Sequence, residues 1–261
     1  MIDRRIGAQF YTLRDYVKTA EDFDNTCKKV SEIGYKTVQL SAIGDIPAEE
    51  IKKTLDKYSL EAVLTHRSSG EFENGLDKLI DFHKTIGCST AGLGMLPKHS
   101  GITEESLAEF IGKYNDIAEK LGENGITFSY HNHAIEFAKI KGKYIMDILA
   151  EETCPNFKFT LDVYWVAYSG IDPAECIMKY KNKIADIHFK DLGVDVSEGK
   201  PANSIVMLPV MEGNLKWDEI IEAADKSGAK WAQVEQDNCN GEDPFDCLKR
   251  SYENLKTKGF C

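Results

Sequence analysis

Nothing in the 261 residues supplies the roughly eighteen consecutive apolar positions that a transmembrane helix needs. The opening Met1-Ile2-Asp3-Arg4-Arg5 leads into no apolar run of signal-peptide length, so the expectation is a cytoplasmic protein without membrane contact. Paired cysteines are missing too. Cys27, Cys88, Cys154, Cys176, Cys239, Cys247 and Cys261 are odd in number and scattered, with no CxxC, which excludes a disulfide scaffold or a zinc finger. Positive charge is scarce: 32 Lys and Arg stand against 43 Asp and Glu, and the net charge of -11 opposes a nucleic-acid partner or an anionic membrane. No Gly-x-Gly-x-x-Gly follows the first apolar segment and no Gly-Lys-Ser/Thr occurs, so nucleotide-binding folds lose their usual support. Low-complexity runs, charge blocks and a second composition regime are also absent, which predicts one domain over residues 1–261.

What is present is an alternation. Short apolar segments at Ile6–Tyr11, Thr37–Leu40, Leu60–Thr65, Thr90–Met95, Ile126–His131, Phe157–Leu161, Ile184–Ile187 and Trp231–Val234 read as strands. Helical patterns lie between them. Thr19 reads as a cap with an acid three residues on, followed by Phe23, Cys27, Val30 and Ile33 and a closing Gly34. Pro47 opens a second helix, and Asn74 to Ile86 reads as a third. After Thr103, the residues Leu107, Phe110, Ile111, Tyr114, Ile117, Ala118 and Leu121 recur at amphipathic spacing. Further helices are expected over Tyr144–Ala150, after Asp172-Pro173, over Trp217–Ala224 and after Asp243-Pro244, with a long connection from Gly193 to Val210. Eight strand–helix units imply a parallel sheet with right-handed crossovers. In a chain of this size they favour an α/β fold closed as a (β/α)8 TIM barrel.

In such a barrel the loops after the strands form the active rim. The polar groups at those places are Gln9 and Tyr11, His66, His131 and His133, Asp162, His188 with Lys190, and Glu235 with Asp237. The stretch Tyr130-His131-Asn132-His133 puts two imidazoles at alternate positions, on one side of an extended strand. Each group has a plain structural role open to it. Asp162 could cap a turn, His188 could be a satisfied polar group under the long loop, and Glu235 could pair with Lys190 or Arg67. Four of them at corresponding places in four consecutive units point instead to convergence. His131, Asp162, His188 and Glu235 would give two imidazoles and two carboxylates, a set for one divalent metal ion, Mn2+, Zn2+ or Fe2+ in preference to Mg2+ or Ca2+. His83, within a helix, and His99, after Pro97, read as structural or surface residues.

These residues resemble the sugar phosphate isomerase/epimerase family, the xylose-isomerase-like TIM barrels, over nearly the whole chain. The likeness is carried by Gly7-Ala8-Gln9-Phe10-Tyr11-Thr12-Leu13-Arg14-Asp15, Ile33-Gly34-Tyr35, Tyr130-His131-Asn132-His133 with Glu136-Phe137, and Leu161-Asp162-Val163-Tyr164-Trp165. Gly170-Ile171-Asp172-Pro173, His188-Phe189-Lys190-Asp191, Glu212-Gly213-Asn214-Leu215 and Glu235-Gln236-Asp237 complete it. The resemblance implies a metal held by Glu, Asp, His and Glu from the last four strands, of which Asp162, His188 and Glu235 match. His131 departs from the pattern, standing where many relatives carry glutamate. Either it ligates in that place, or water completes a three-residue set; Glu136 is a weaker substitute. The implied activity is an isomerase or epimerase of a sugar or keto-sugar working through an enediolate. Glu235 would be the base, with His131, His133 or His66 as the second acid/base, while Lys190, counted with the catalytic set, and Arg67 could bind substrate hydroxyls or an anionic group. Gln9, Tyr11, Arg67, His133, Trp165 and Glu212 form the implied substrate-binding set, around a small sugar or cyclitol. A dehydratase acting on a keto-sugar or cyclitol, like the inosose dehydratases, is the alternative. An endonuclease IV-like repair enzyme and a non-catalytic sugar binder rank lower, and a homo-oligomer is compatible with the sequence.

Overall fold

The computed structural model describes residues 1–97, 99–201 and 203–261. Eight parallel strands close into a barrel: β1 (Gly7–Gln9), β2 (Thr37–Leu40), β3 (Glu61–Arg67), β4 (Thr90–Leu93), β5 (Thr127–His131), β6 (Phe157–Asp162), β7 (Ile184–Phe189) and β8 (Trp231–Val234). Each strand pairs with its neighbours in sequence, and β8 returns to β1 through Gly7 opposite Gln233. The helices that alternate with them are α1 (Ala20–Ile33), α2 (Ala48–Lys57), α3 (Leu76–Ile86), α4 (Glu104–Glu123), α5 (Ile145–Glu152), α6 (Pro173–Lys179), α7 (Trp217–Ser227) and α8 (Pro244–Lys256). This is the expected (β/α)8 barrel.

The local signals act as expected. Thr19 and Thr103 cap their helices through boxes with Asp22 and Ser106, satisfying amides that the first helical turn leaves free. Asp172 and Asp243 cap helices with proline in the first turn. The seven predicted inner residues of α4 are all buried, and Phe110 meets Tyr130 and Phe157 with ring centroids 5.8 and 6.4 Å apart. Helix and barrel are thus joined by an aromatic layer that excludes water from both.

Three local expectations need correction. The helix read over 74–86 is present as α3, but a separate helix, Ser69–Asn74, precedes it, because Ser68 and Glu71 form a capping box and the chain turns at Gly75. The connection read over 193–210 contains an antiparallel hairpin, Asp191–Asp195 with Ser204–Leu208. Val163–Tyr168 is a further helix, capped by Asp162. Inside the barrel the filling is unusually polar for a position normally held by branched aliphatics. Gln9, Gln39, Thr65, Ser129, Thr160, His188 and Gln233 are all fully buried. Gly7 makes room for one of them, since a Cβ there would fall 1.8 Å from Gln233 Oε1.

Candidate metal centre and active site

Parallel pairing brings the ends of four consecutive strands level. Asp162 on β6 lies in register with His188 on β7, His131 ends β5, and Glu235 follows β8 directly. Their side chains converge at the mouth of the barrel, one ligand atom from each lying within 4.8 Å of all the others, and all four residues are buried. His131 Nε2 is 3.2 Å from Asp162 Oδ2 and 4.0 Å from Glu235 Oε2. His188 Nδ1 is 2.9 Å from Glu235 Oε2 and 3.8 Å from Asp162 Oδ2.

The outward-facing atoms of the same four groups are all engaged. His131 Nδ1 meets the carbonyl oxygen of Gly94 at 3.1 Å, and His188 Nε2 meets Gln39 Oε1 at 2.7 Å. Both acceptors require an N–H, so each imidazole in its neutral form carries its lone pair on the inward nitrogen. Glu235 Oε1 accepts from Gln9 Nε2 at 3.0 Å, and Asp162 Oδ1 accepts from the backbone N–H groups of Tyr164 and Trp165 at 2.8 and 3.2 Å. Asp162 therefore fills both roles considered for it, a helix cap with one oxygen and a cluster member with the other. Two inward nitrogens and two inward oxygens, each with a fixed outer partner, fit a borderline divalent cation.

Lys190 is buried beside the cluster. Its Nζ lies 2.7 Å from Asp237 Oδ2, 3.2 Å from Glu235 Oε2 and 3.5 Å from Asp162 Oδ2, over the rings of Tyr164 and Trp165. Burial disfavours every charge here; for Lys190, Glu235 and Asp162 the mutual attraction is larger, whereas burial and then the neighbouring Glu235 raise Asp237 above its ordinary value. Lys190 holds Glu235 well below the usual carboxylate range and Asp162 below its own, while Glu235 and Asp162 raise Lys190. Burial likewise opposes the charged form of His188, and Glu235 and Asp162 outweigh it and lift the imidazole to about 10 in the metal-free protein. His66 and His133 go the other way. Burial, then the neighbouring His131, takes His66 well below its ordinary value and His133 down to about 3.

A cavity of about 500 Å3 opens over the cluster. Tyr11, His66, Arg67, His131, His133, Lys190 and Glu235 line it, joined by Asp237, Ser41 and the apolar Leu93, Met95, Leu96 and Pro97. The two histidines of the Tyr130–His133 stretch have ring centroids 4.7 Å apart, although the strand ends at the first of them. His66 Nε2 and His133 Nδ1 are buried without a hydrogen-bond partner. Gln9 sits beneath the cavity as a partner of Glu235, and Trp165 packs behind His133 with centroids 5.2 Å apart.

Glu212 does not join the expected substrate-binding set, and Gln9 and Trp165 stand behind the cavity lining rather than on it. Glu212 is bound to Arg250 at 3.0 Å, outside the cavity lining. The motif that contains it is a latch: Asp191 accepts from the backbone N–H groups of Met211, Gly213 and Leu215 and from Trp217 Nε1. Glu136 does not reach the cluster, because one oxygen accepts from Tyr130 Oη and the other from the His133 N–H at 2.7 Å. Of the histidines set aside, His83 is a core residue between Thr65 Oγ1 and the Cys88 carbonyl, while His99 lines the cavity. Gln39 escaped the sequence analysis altogether; its signal was a lone amide within the apolar strand Thr37–Leu40.

Fold and site together define a (β/α)8 barrel with an enzyme-like centre at the carboxyl ends of its strands. Residues 27–257 match the model of the xylose isomerase-like TIM barrel family, and the chain belongs to it. Among characterised proteins it is similar to the rhizopine catabolism protein MocC of Rhizobium meliloti, 21% identical over 87% of this chain and 78% of that protein. An inosose dehydratase of Geobacillus thermodenitrificans is 25% identical over 62% of this chain and 58% of the relative. A solved structure of a sugar phosphate isomerase/epimerase from Parabacteroides distasonis superposes with a TM-score of 0.81 at 23% identity, covering 98% of this chain and 94% of the other. The likeness to solved structures shows the fold.

Proposed function

We propose that the chain is a divalent-metal-dependent isomerase or epimerase of a sugar or keto-sugar. The observation that carries this is the outer fixing of all four donors: Gln39, Gln9, the Gly94 carbonyl and two backbone amides aim His188, Glu235, His131 and Asp162 at one point. His131, Asp162, His188 and Glu235 would hold the cation, Mn2+, Zn2+ or Fe2+. When bound, it supplies Lewis-acid stabilisation of the negative charge that develops on the substrate oxygens.

The residues of the chain supply the rest. Glu235, ionised and on the cavity wall, takes the proton beside the substrate carbonyl. Lys190 offsets the charge on Glu235 and so keeps it available as a base. Both nitrogens of His131 are engaged, so the second acid/base is His66, which burial keeps uncharged and whose free buried nitrogen on the cavity wall can accept a proton. Tyr11, Arg67 and His133 meet substrate hydroxyls, with Gln9 and Trp165 behind them. Return of the proton to the neighbouring carbon isomerises the sugar, and return to the opposite face epimerises it.

A dehydratase is the second reading, and His131 favours it. An imidazole where a carboxylate would serve as a second base suits removal of one proton and loss of hydroxide. The test is incubation of the Mn2+-loaded protein with a panel of keto-sugars and inososes in D2O. Deuterium beside the carbonyl is expected, with the product separating isomerisation from loss of water. Glu235→Gln is expected to abolish the exchange; exchange at the original rate would remove Glu235 as the base. Sugar binding with no exchange at all would leave a non-catalytic binder.

A further inference from the structure

Asn132 stands between the two histidines of the Tyr130–His133 stretch and is fully buried, yet none of the proposed chemistry uses it. The sheet explains its place. Pairing between β5 and β6 runs from Phe128 opposite Phe157 to His131 opposite Thr160, where β5 ends. Asp162 lies two residues past that last pair, beyond the ladder that ties β6 to β5. On its other side it is paired with His188 of β7.

The Asn132 side chain stands in for the backbone that β5 no longer supplies. Its Oδ1 accepts from the Asp162 N–H at 2.9 Å, and its Nδ2 faces the Asp162 carbonyl oxygen at 3.5 Å. A carboxamide offers the same acceptor and donor as a peptide group, so it can serve as one more rung of a sheet. Neighbouring strands keep their separation of about 4.8 Å through such bonds. The separation matters here, because the two strand ends carry His131 Nε2 and Asp162 Oδ2, 3.2 Å apart. His131 has supports of its own, the ladder at Thr160 and the Gly94 carbonyl at Nδ1. Asp162 Oδ1 is held by the amides of Tyr164 and Trp165, in the helix that Asp162 itself begins. Asn132 is what joins the Asp162 backbone to the end of β5.

We propose that Asn132 is a positioning residue, whose side chain extends the sheet by one rung and sets the distance between the donors of β5 and β6. Its effect on metal affinity rests on the reading of the four donors as a metal centre; the rung itself does not. Amide hydrogen exchange, followed by NMR in the metal-free protein, reads the rung directly. The Asp162 N–H is expected to be protected in the native protein. In Asn132→Leu it should exchange at least about tenfold faster, while the Phe159 N–H, bound to the Lys183 carbonyl, keeps its rate. Unchanged exchange of Asp162 in the variant overturns the proposal. An unprotected Asp162 N–H in the native protein overturns it whether or not the variant folds.

Competition for Zn2+ against a chelating dye reads the spacing. Asn132→Leu is expected to bind about 10- to 100-fold more weakly. In an Asp162→Asn background the same change should cost about threefold or less, because the donor that Asn132 places is already gone. Native affinity in Asn132→Leu overturns the proposal, and so does an equal loss in both backgrounds, which general loosening would produce. A native protein that binds no divalent ion, yet loses its Asp162 protection in Asn132→Leu, would sink the proposed reaction and leave this inference standing.

Discussion

Asp162 divides one carboxylate between two tasks. Oδ1 caps the helix Val163–Tyr168, and Oδ2 faces the imidazoles. The tasks separate by substitution. Asp162→Asn keeps a capping oxygen and is expected to hold the fold while weakening Mn2+ or Zn2+ binding by at least about 100-fold. Asp162→Ala should lose about 1 kcal/mol of stability as well. Competition against a chelating dye reads the first effect and urea unfolding the second; an Asn variant that binds metal normally would contradict the ligand set. Gln39→Leu touches no proposed ligand atom, yet it strips His188 Nε2 of its acceptor. A loss of about 10- to 100-fold in metal affinity is expected. Glu136 gives a pH signature. Burial, opposed by its hydrogen bonds from Tyr130 and His133, pushes it from 4.5 up to about 7. Between those values the folded chain keeps a proton that the unfolded chain has lost, so stability is fully present below 4.5 and falls as pH rises through 7. Relative to Glu136→Gln, the native protein should lose about 3 kcal/mol across that window, measured by unfolding at a series of pH values.

Among the elements, β1 is the shortest barrel strand and closes the ring against β8. Gly7→Ala would set a methyl group against Gln233 Oε1 and is expected to cost about 1–3 kcal/mol. Pairing it with Gln233→Ala should recover most of the loss, and a double variant no better than the single one would show that the crowding lies elsewhere. Elements with strong periodicity were legible in the sequence. The inner face of α4 and the caps at Thr19, Thr103, Asp172 and Asp243 all rest on contacts three or four residues apart. Val163–Tyr168 was not legible, because Val-Tyr-Trp-Val-Ala-Tyr is apolar nearly all round and has no polar face to set its period. The 191–208 hairpin was hidden by Gly193, Asp195 and the long turn that interrupts it. Strand ends could be counted, so His131, Asp162, His188 and Glu235 could be brought together before any coordinates. Gln39 and the Asp191 latch depend on contacts 149 and 26 residues away along the chain, and only closure of the barrel reveals them.

For the molecule as a whole, a cation that binds only the folded chain must stabilise it. Mn2+ or Zn2+ at about 100 times its dissociation constant should contribute about 2.7 kcal/mol and raise Tm by roughly 5–10 °C. A chelator should reverse the shift, and Asp162→Asn should abolish it. A Tm indifferent to every divalent ion would leave the four donors as a hydrogen-bonded core.

All four donors belong to the second half of the barrel, β5 to β8, whereas His66, Arg67 and the Leu93–Pro97 wall come from the first half. The four-donor cluster and the cavity wall formed after β3 and β4 are thus written on different stretches of one polypeptide. Changes in the loops after β3 and β4 can alter what is admitted while the ion site stays intact. Directed evolution toward a new substrate should accumulate its early successes before residue 100 or so, and a chimaera that exchanges this front half with a relative's should inherit the relative's preferences while keeping its own metal.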